Sequence, residues 1–260
     1  MSQGSSIDIG ERLRDEAHRI LKEAERRGVT LRLLGLQAVR EHCPRFGHLL
    51  DEIGRCYLDL DFLGLSGQRS ELKQLFAGMG YRIDRKTLVA AEGTRYYFVG
   101  PTGTPVDVFI DALDFCHRID LRERMALDYP TIPLADLLLS KLQIVEITEK
   151  DVQDMLTLLV EHDVGERDEP DVLNVNYMAE LLAADWGFYQ TVSNNLSVLA
   201  SFLTSCGWLH VSSKATIAGR IETLEKAIET KDKTLGWKLR SKVGKRIIWY
   251  KQVGARDSVF

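Results

Sequence analysis

The residues best placed to do chemistry are Asp59 and Asp61, in the run Tyr57-Leu58-Asp59-Leu60-Asp61-Phe62-Leu63, and Asp107, in Pro105-Val106-Asp107-Val108-Phe109-Ile110. Successive side chains of a strand point to opposite faces, so Asp59 and Asp61 are expected on one face and Leu58, Leu60 and Phe62 on the other. Two neighbouring carboxylates repel each other unless a cation answers them. If the Asp107 strand lies beside the first, three carboxylates converge at one end of a sheet. An all-oxygen set of this kind suits a hard divalent cation such as magnesium. The same alternation also fits a strand with one wet face and one core face, so the spacing alone leaves both readings open.

The elements that must position these acids follow from hydrophobic periodicity. Residues 9–27 predict an amphipathic helix with Leu13, Ala17, Ile20, Leu21 and Ala24 as its apolar stripe, ended by Gly28. Residues 29–34 predict a strand, Gly35 a turn, and residues 36–43 a helix stopped by Pro44. A helix that starts directly after a strand turns backbone N–H groups toward an anion, although the glycine equally permits close packing on a sheet. Residues 45–56 read as loop with one helical turn, and 68–79 as a helix burying Leu72, Leu75, Phe76 and Met79. Short antiparallel strands are expected at 81–83, 86–91 and 95–99, and a turn over 100–105 feeds the Asp107 strand.

This order predicts an α/β (α+β) fold with a mixed sheet flanked by helices, not a parallel doubly wound sheet. From Pro133 the pattern becomes helical, with helices expected at 134–145, 149–160, 174–184, 188–203 and 216–229 and a polar connector at 166–171. The division expected is 1–165 for the sheet-containing domain and 166–260 for a helical C-terminal domain.

Composition narrows the class. The chain has 260 residues, 45% of them hydrophobic, which is enough for a substantial core. The net charge of -4 is unevenly spread: residues 231–260 carry nine Lys/Arg against two acids, a net of +7, which leaves -11 for the rest. No run approaches the eighteen apolar residues of a membrane span, and the first residues lack a signal-peptide core, so a cytoplasmic protein with no membrane partner is expected. Cys43, Cys56, Cys116 and Cys206 form no CxxC pair. They read as small buried hydrophobes rather than a disulfide framework or a zinc site assembled from separate pieces.

Gly35 in Leu33-Leu34-Gly35-Leu36-Gln37-Ala38-Val39, the Asp59-Leu60-Asp61 triplet and the later Asp107 together resemble the nucleotidyltransferase superfamily, in particular the minimal and abortive-infection (AbiEii-type) toxin nucleotidyltransferases. Asp136-Leu137-Leu138-Leu139-Ser140-Lys141-Leu142 is similar to that family's lysine-bearing helix, and Glu149-Lys150-Asp151-Val152-Gln153-Asp154-Met155 to its Lys-Asp-x-x-Asp helix. The likeness covers residues 28–162. Where the family has Gly-Gly or Gly-Ser at the turn, this chain has Leu36 in the second position.

The resemblance implies a magnesium-dependent transfer of a nucleoside monophosphate from a nucleoside triphosphate, with ATP the expected donor, to a hydroxyl on a small molecule, a protein or an RNA. Asp59, Asp61 and Asp107 would be the metal ligands and catalytic acids. Gly35 and Leu36 would border the triphosphate, and Lys141 would contact it or else ion-pair with a nearby acid. Lys150 and Asp154 have the i,i+4 spacing of an ordinary helix salt bridge and stay outside the expected site, as does Asp151. The basic, aromatic run 231–251 suits an RNA partner or a packed anchor, and the family likeness adds an antitoxin-like protein. Two other classes compete. One is a catalytically degenerate nucleotide- or partner-binding protein of the same fold, blocked at Leu36, and the other is a metal-dependent kinase or phosphohydrolase. No GxGxxG follows the first strand, which disfavours a dinucleotide dehydrogenase, and no recognition helix marks a helix-turn-helix regulator.

Overall fold

The long amphipathic stripe near the N-terminus folds as α1 (Gln3–Arg26), and Leu13, Ala17, Ile20, Leu21 and Ala24 are all buried. The computed structural model describes residues 3–84 and 93–253. By its internal contacts the chain divides into two compact units. The first is Met1–Glu41, Asp51–Leu113 and Ile119–Pro133; the second is His42–Leu50, Asp114–Arg118 and Leu134–Phe260.

The first unit is built on a five-stranded mixed sheet. Its strands are β1 (Leu31–Leu34), β2 (Leu60–Gly64), β3 (Arg82–Ile83), β4 (Arg95–Val99) and β5 (Pro105–Ile110), in spatial order β1-β2-β5-β4-β3. β1 runs antiparallel to β2, β2 parallel to β5, and β5, β4 and β3 form an antiparallel run. The parallel step needs a crossover, which α4 (Arg69–Gly78) and the β3–β4 hairpin supply. Leu60, Phe62, Val106, Val108, Tyr96 and Phe98 are buried on the core face, and α4 adds Leu72, Leu75 and Phe76. Phe76 stacks on Phe98 at 4.3 Å between centroids, fixing helix to sheet. Met79, expected in this stripe, instead caps the helix and is only half-buried. The strand expected at 86–91 lies outside the described residues.

One expectation about the acidic strand fails. Leu58 does not face the core with Leu60 and Phe62 but is 57% exposed. The ladder to β5 begins only at Leu60, so the period-two rule does not reach back to residue 58. Tyr57 takes the inward position instead. Its hydroxyl donates to Asp51 Oδ1 at 2.7 Å and accepts from Arg40 Nη1 at 2.6 Å, while its ring fills the space left by Gly10 of α1. That anchoring sets where the chain enters β2, and hence where Asp59 stands.

The second unit is helical. It contains α5 (Leu134–Leu142), α6 (Glu149–Glu161), α7 (Val175–Ala184), α8 (Trp186–Ser205), α9 (Val211–Thr230) and α10 (Leu235–Val243). α7, α8 and α9 pack on one another as a distinct C-terminal helical module. Its helix starts are written in the sequence: Thr148, Asn174, Asp185 and Thr234 each accept a backbone N–H at an N-terminus. The 166–171 connector is flanked by a short parallel pair, β6 (Asp163–Gly165) and β7 (Val172–Asn174), which periodicity did not reveal. Among the described residues, no helix is long and apolar enough to cross a membrane.

Candidate metal centre

Register brings the acids together. In the parallel pairing of β2 with β5, Asp61 is opposite Asp107, each flanked by apolar residues that commit the other face to the core. Asp59 precedes the ladder by one residue and is half-buried, whereas Asp61 and Asp107 are buried. The three carboxylates each offer an oxygen within 4.8 Å of the others. Among the described residues, this is the one group of three or more His, Cys, Asp or Glu side chains that could hold a metal ion. An all-carboxylate set on neighbouring strands fits a hard divalent cation such as magnesium, which would offset the repulsion between like charges so close together.

Gly35 completes the approach from β1. Leu34 pairs with Asp61, and the chain then turns at once into α2 (Gly35–His42) with φ of +63° at Gly35. A Cβ at this position would overlap Asp61 Oδ2. The glycine is therefore needed twice, for its left-handed backbone and for the space the carboxylate occupies. Leu36 follows, half-buried, at the start of the helix.

Two residues that motif reading missed also belong here. Arg95 of β4 donates from Nε to Asp107 Oδ1 at 2.6 Å, and its guanidinium lies 4.9 Å from the centroid of the Phe109 ring. Tyr97 is the register partner of Asp107. Burial, followed by the charges of Asp107, Asp59 and Asp84, pushes its hydroxyl above the ordinary tyrosine range, so the group stays protonated beside the acids. The signal for both was the alternation in Arg95-Tyr96-Tyr97-Phe98, which puts Arg95 and Tyr97 on one face. Only the β4–β5 pairing shows which face that is.

Lys141 belongs to the second unit. It is buried, and its ammonium lies 3.2 Å from Asp151 Oδ1 and 3.0 Å from Asp154 Oδ2. Asp154 was expected to pair with Lys150. It is instead fully buried and pairs with Lys141, while Lys150 is exposed, because α6 turns Asp154 into the unit's interior. Asp151 doubles as the capping-box residue of α6, taking the Thr148 N–H at 2.9 Å. Burial pushes its carboxyl up, but Lys141 and Thr148 outweigh that and leave it below the usual carboxylate range. The four cysteines are free thiols.

No protein-family model matches this chain, and no curated protein matches it. What stands is a mixed α/β fold carrying a clustered acidic triad, an arrangement consistent with the metal-binding active site of a nucleotidyltransferase-like superfamily.

Proposed function

We propose that the protein is a magnesium-dependent nucleotidyltransferase that moves a nucleoside monophosphate from a triphosphate, ATP in the first instance, to a hydroxyl acceptor. The observation that carries this reading is the meeting of Asp59, Asp61 and Asp107 across parallel strands beside a glycine-initiated helix. Asp59, Asp61 and Asp107 would hold the metal. Bound there, magnesium supplies charge neutralisation at phosphate oxygens and acidifies an attacking hydroxyl. Asp107 orients that hydroxyl and takes its proton. Gly35 keeps the helix start clear of Asp61 so that the first backbone N–H groups of α2 face the phosphates. Leu36 borders them and narrows the space beside the helix start.

The finer likeness to the AbiEii-type toxins rests on the sequence order of these motifs, and with it the toxin–antitoxin setting and the antitoxin-like partner. Lys141 is answered within its own unit by Asp151 and Asp154, which supports the ion-pair role over a triphosphate contact. An RNA acceptor is supported by Lys238, Lys242, Lys245 and Arg246, all exposed in the C-terminal segment. Trp249 of that segment is engaged in packing, its Nε1 donating to Thr191 Oγ1 at 3.1 Å.

The test is transfer of α-phosphate label from each of the four triphosphates, with magnesium, into RNA, protein and small-molecule fractions. Wild type is expected to label one fraction, and Asp59→Asn and Asp107→Asn to lower that labelling by on the order of a thousandfold. A folded wild type that binds magnesium and triphosphate but labels nothing would place the chain with the catalytically degenerate binding proteins. Release of free nucleoside diphosphate or monophosphate would point to a kinase or phosphohydrolase.

A further inference from the structure

We infer that the helical unit pairs with a second copy of this chain, each copy laying its α10 in the groove between α8 and α9 of the other. The segment that carries α10 is held at both ends. At its start the Thr234 N–H donates to the Ala183 carbonyl at 3.0 Å, and Trp237 meets Tyr189 edge to face at 5.2 Å between centroids. At its finish Trp249 donates to Thr191, the Lys251 N–H donates to the Cys116 carbonyl at 2.9 Å, and a Cβ on Gly187 would overlap the Trp249 carbonyl. What lies between these anchors faces out. Leu235 and Leu239, four residues apart, share the side of α10 turned away from Trp237, with Lys238 and Lys242 beside them. The two leucines are 73% and 56% exposed, and Ile247 and Ile248 beyond the helix are 63% and 62% exposed. Large aliphatic side chains held in water on an anchored segment mark an interaction surface. The rings of Trp237 and Trp249 are engaged within the unit, so this face offers aliphatic carbon and ammonium groups rather than stacking platforms. That favours a protein partner over RNA.

The complement to this face is on the same unit. None of the twenty residues of α8 is charged, although Ser197, Ala200, Ser201 and Thr204 are exposed. The three hydroxyls donate to carbonyls of their own helix, so they lose little when water is removed from that face. With α9, this helix lines a groove of about 600 Å³ through Ala200, Leu203, Ala218 and Gly219. Glu222 and Glu225 border it toward the end of α9, and Lys214 toward the start. An uncharged centre with charge at its rim is the anatomy of a protein interface. The leucines of α10 match that centre, and Lys238 and Lys242 match the two glutamates. The same complementarity runs through the chain, whose last thirty residues net +7 against -11 for the rest. One nine-residue helix is small beside the roughly 1,200 Å² or more that stable interfaces bury in total. Reciprocal exchange about a twofold axis doubles the contact and closes the assembly at two chains.

The test is sedimentation equilibrium of the full chain at micromolar concentrations, with circular dichroism to verify folding. Wild type is expected at twice the chain mass. Leu239→Glu, on the helix, and Ala218→Arg, in the groove, change exposed positions and are each expected to weaken the dimer by about tenfold or more. An equimolar mixture of the two variants is expected to dimerise more tightly than either alone, because the Ala218→Arg chain keeps a native α10 and the Leu239→Glu chain a native groove. A mixture no tighter than its components would overturn the inference. So would a dimer that both variants leave unchanged, or a monomeric wild type. Binding of polyuridylate or of phosphatidylglycerol vesicles by that monomer, lost in Leu239→Glu, would assign the segment to a nucleic acid or a membrane instead.

Discussion

Among the described residues, two carboxylate clusters set in apolar surroundings are resolved in different ways. In the helical unit, Asp151 and Asp154 flank the buried ammonium of Lys141, and Asp151 also accepts from Thr148. The three side chains are 9%, 0% and 3% exposed, so these charges have been taken out of water and answered inside the protein. In the sheet unit, three carboxylates share a space of a few ångströms on the face that carries Arg95, and Arg95 is bonded to Asp107. A cluster closed by its own lysine holds helices together and has no role for an incoming ion. A cluster in which three carboxylates converge within a few ångströms is suited to gaining a cation.

The largest test of this contrast is a pair of neutralising substitutions. Lys141→Met leaves two buried acids without their shared cation and is expected to cost about 3–5 kcal/mol of stability, read by urea unfolding. Asp61→Asn removes one of three mutually repelling charges and is expected to leave metal-free stability unchanged or raise it by about 1 kcal/mol. Equal losses in the two variants would mean that both clusters are structural.

The pH dependence of the helical unit gives a second test. His117 stacks on Phe188 at 4.9 Å and shares a 2.9 Å hydrogen bond with Thr191. Burial holds its pKa down to about 4. The unfolded chain takes up this proton near pH 6.5, whereas the folded chain resists it, so stability is full above about 6.5 and falls as pH drops toward about 4. The loss from this residue is at most about 3 kcal/mol. His162, also shifted down by burial and by His42, adds to it with the same sign. Asp151, whose carboxyl is shifted below its ordinary 3.8, withdraws its contribution only at still lower pH. Urea midpoints between pH 7 and 4.5 measure the slope, and a His117 ring that titrates near 6.5 by NMR would remove its share.

The smallest effect sharpens the division of roles. Thr148→Ala deletes one half of the α6 capping box and is expected to cost about 1 kcal/mol, with Mn²⁺ binding unchanged. A change in ion affinity would show that the closed cluster influences the open one.

Much of the scaffold was legible because it rests on local rules. The stripe of α1, the glycine stop at Gly28, the strand–glycine–helix turn at Gly35 and the run of helices after Pro133 all follow from period and capping. The mixed sheet followed from the order of elements. The parts that were not legible depend on which strand or helix lies next to which. Leu58 looked like core because its run alternates, yet the ladder begins after it. Asp154 looked like the partner of Lys150 because they are one turn apart, yet the interior of the unit offers Lys141.

The sequence alone determined three acids on two apolar strand patterns, a glycine where a strand turns into a helix, and a helical C-terminal third. Those features depend on side-chain chemistry and on backbone preference within a few residues. The tertiary structure alone decided that Asp61 stands opposite Asp107, that Arg95 answers Asp107, and that Lys141 is enclosed by Asp151 and Asp154. Each of these joins residues through strand register or helix packing, and the free energy that selects a register is distributed over the whole buried face rather than written at the residues it brings together.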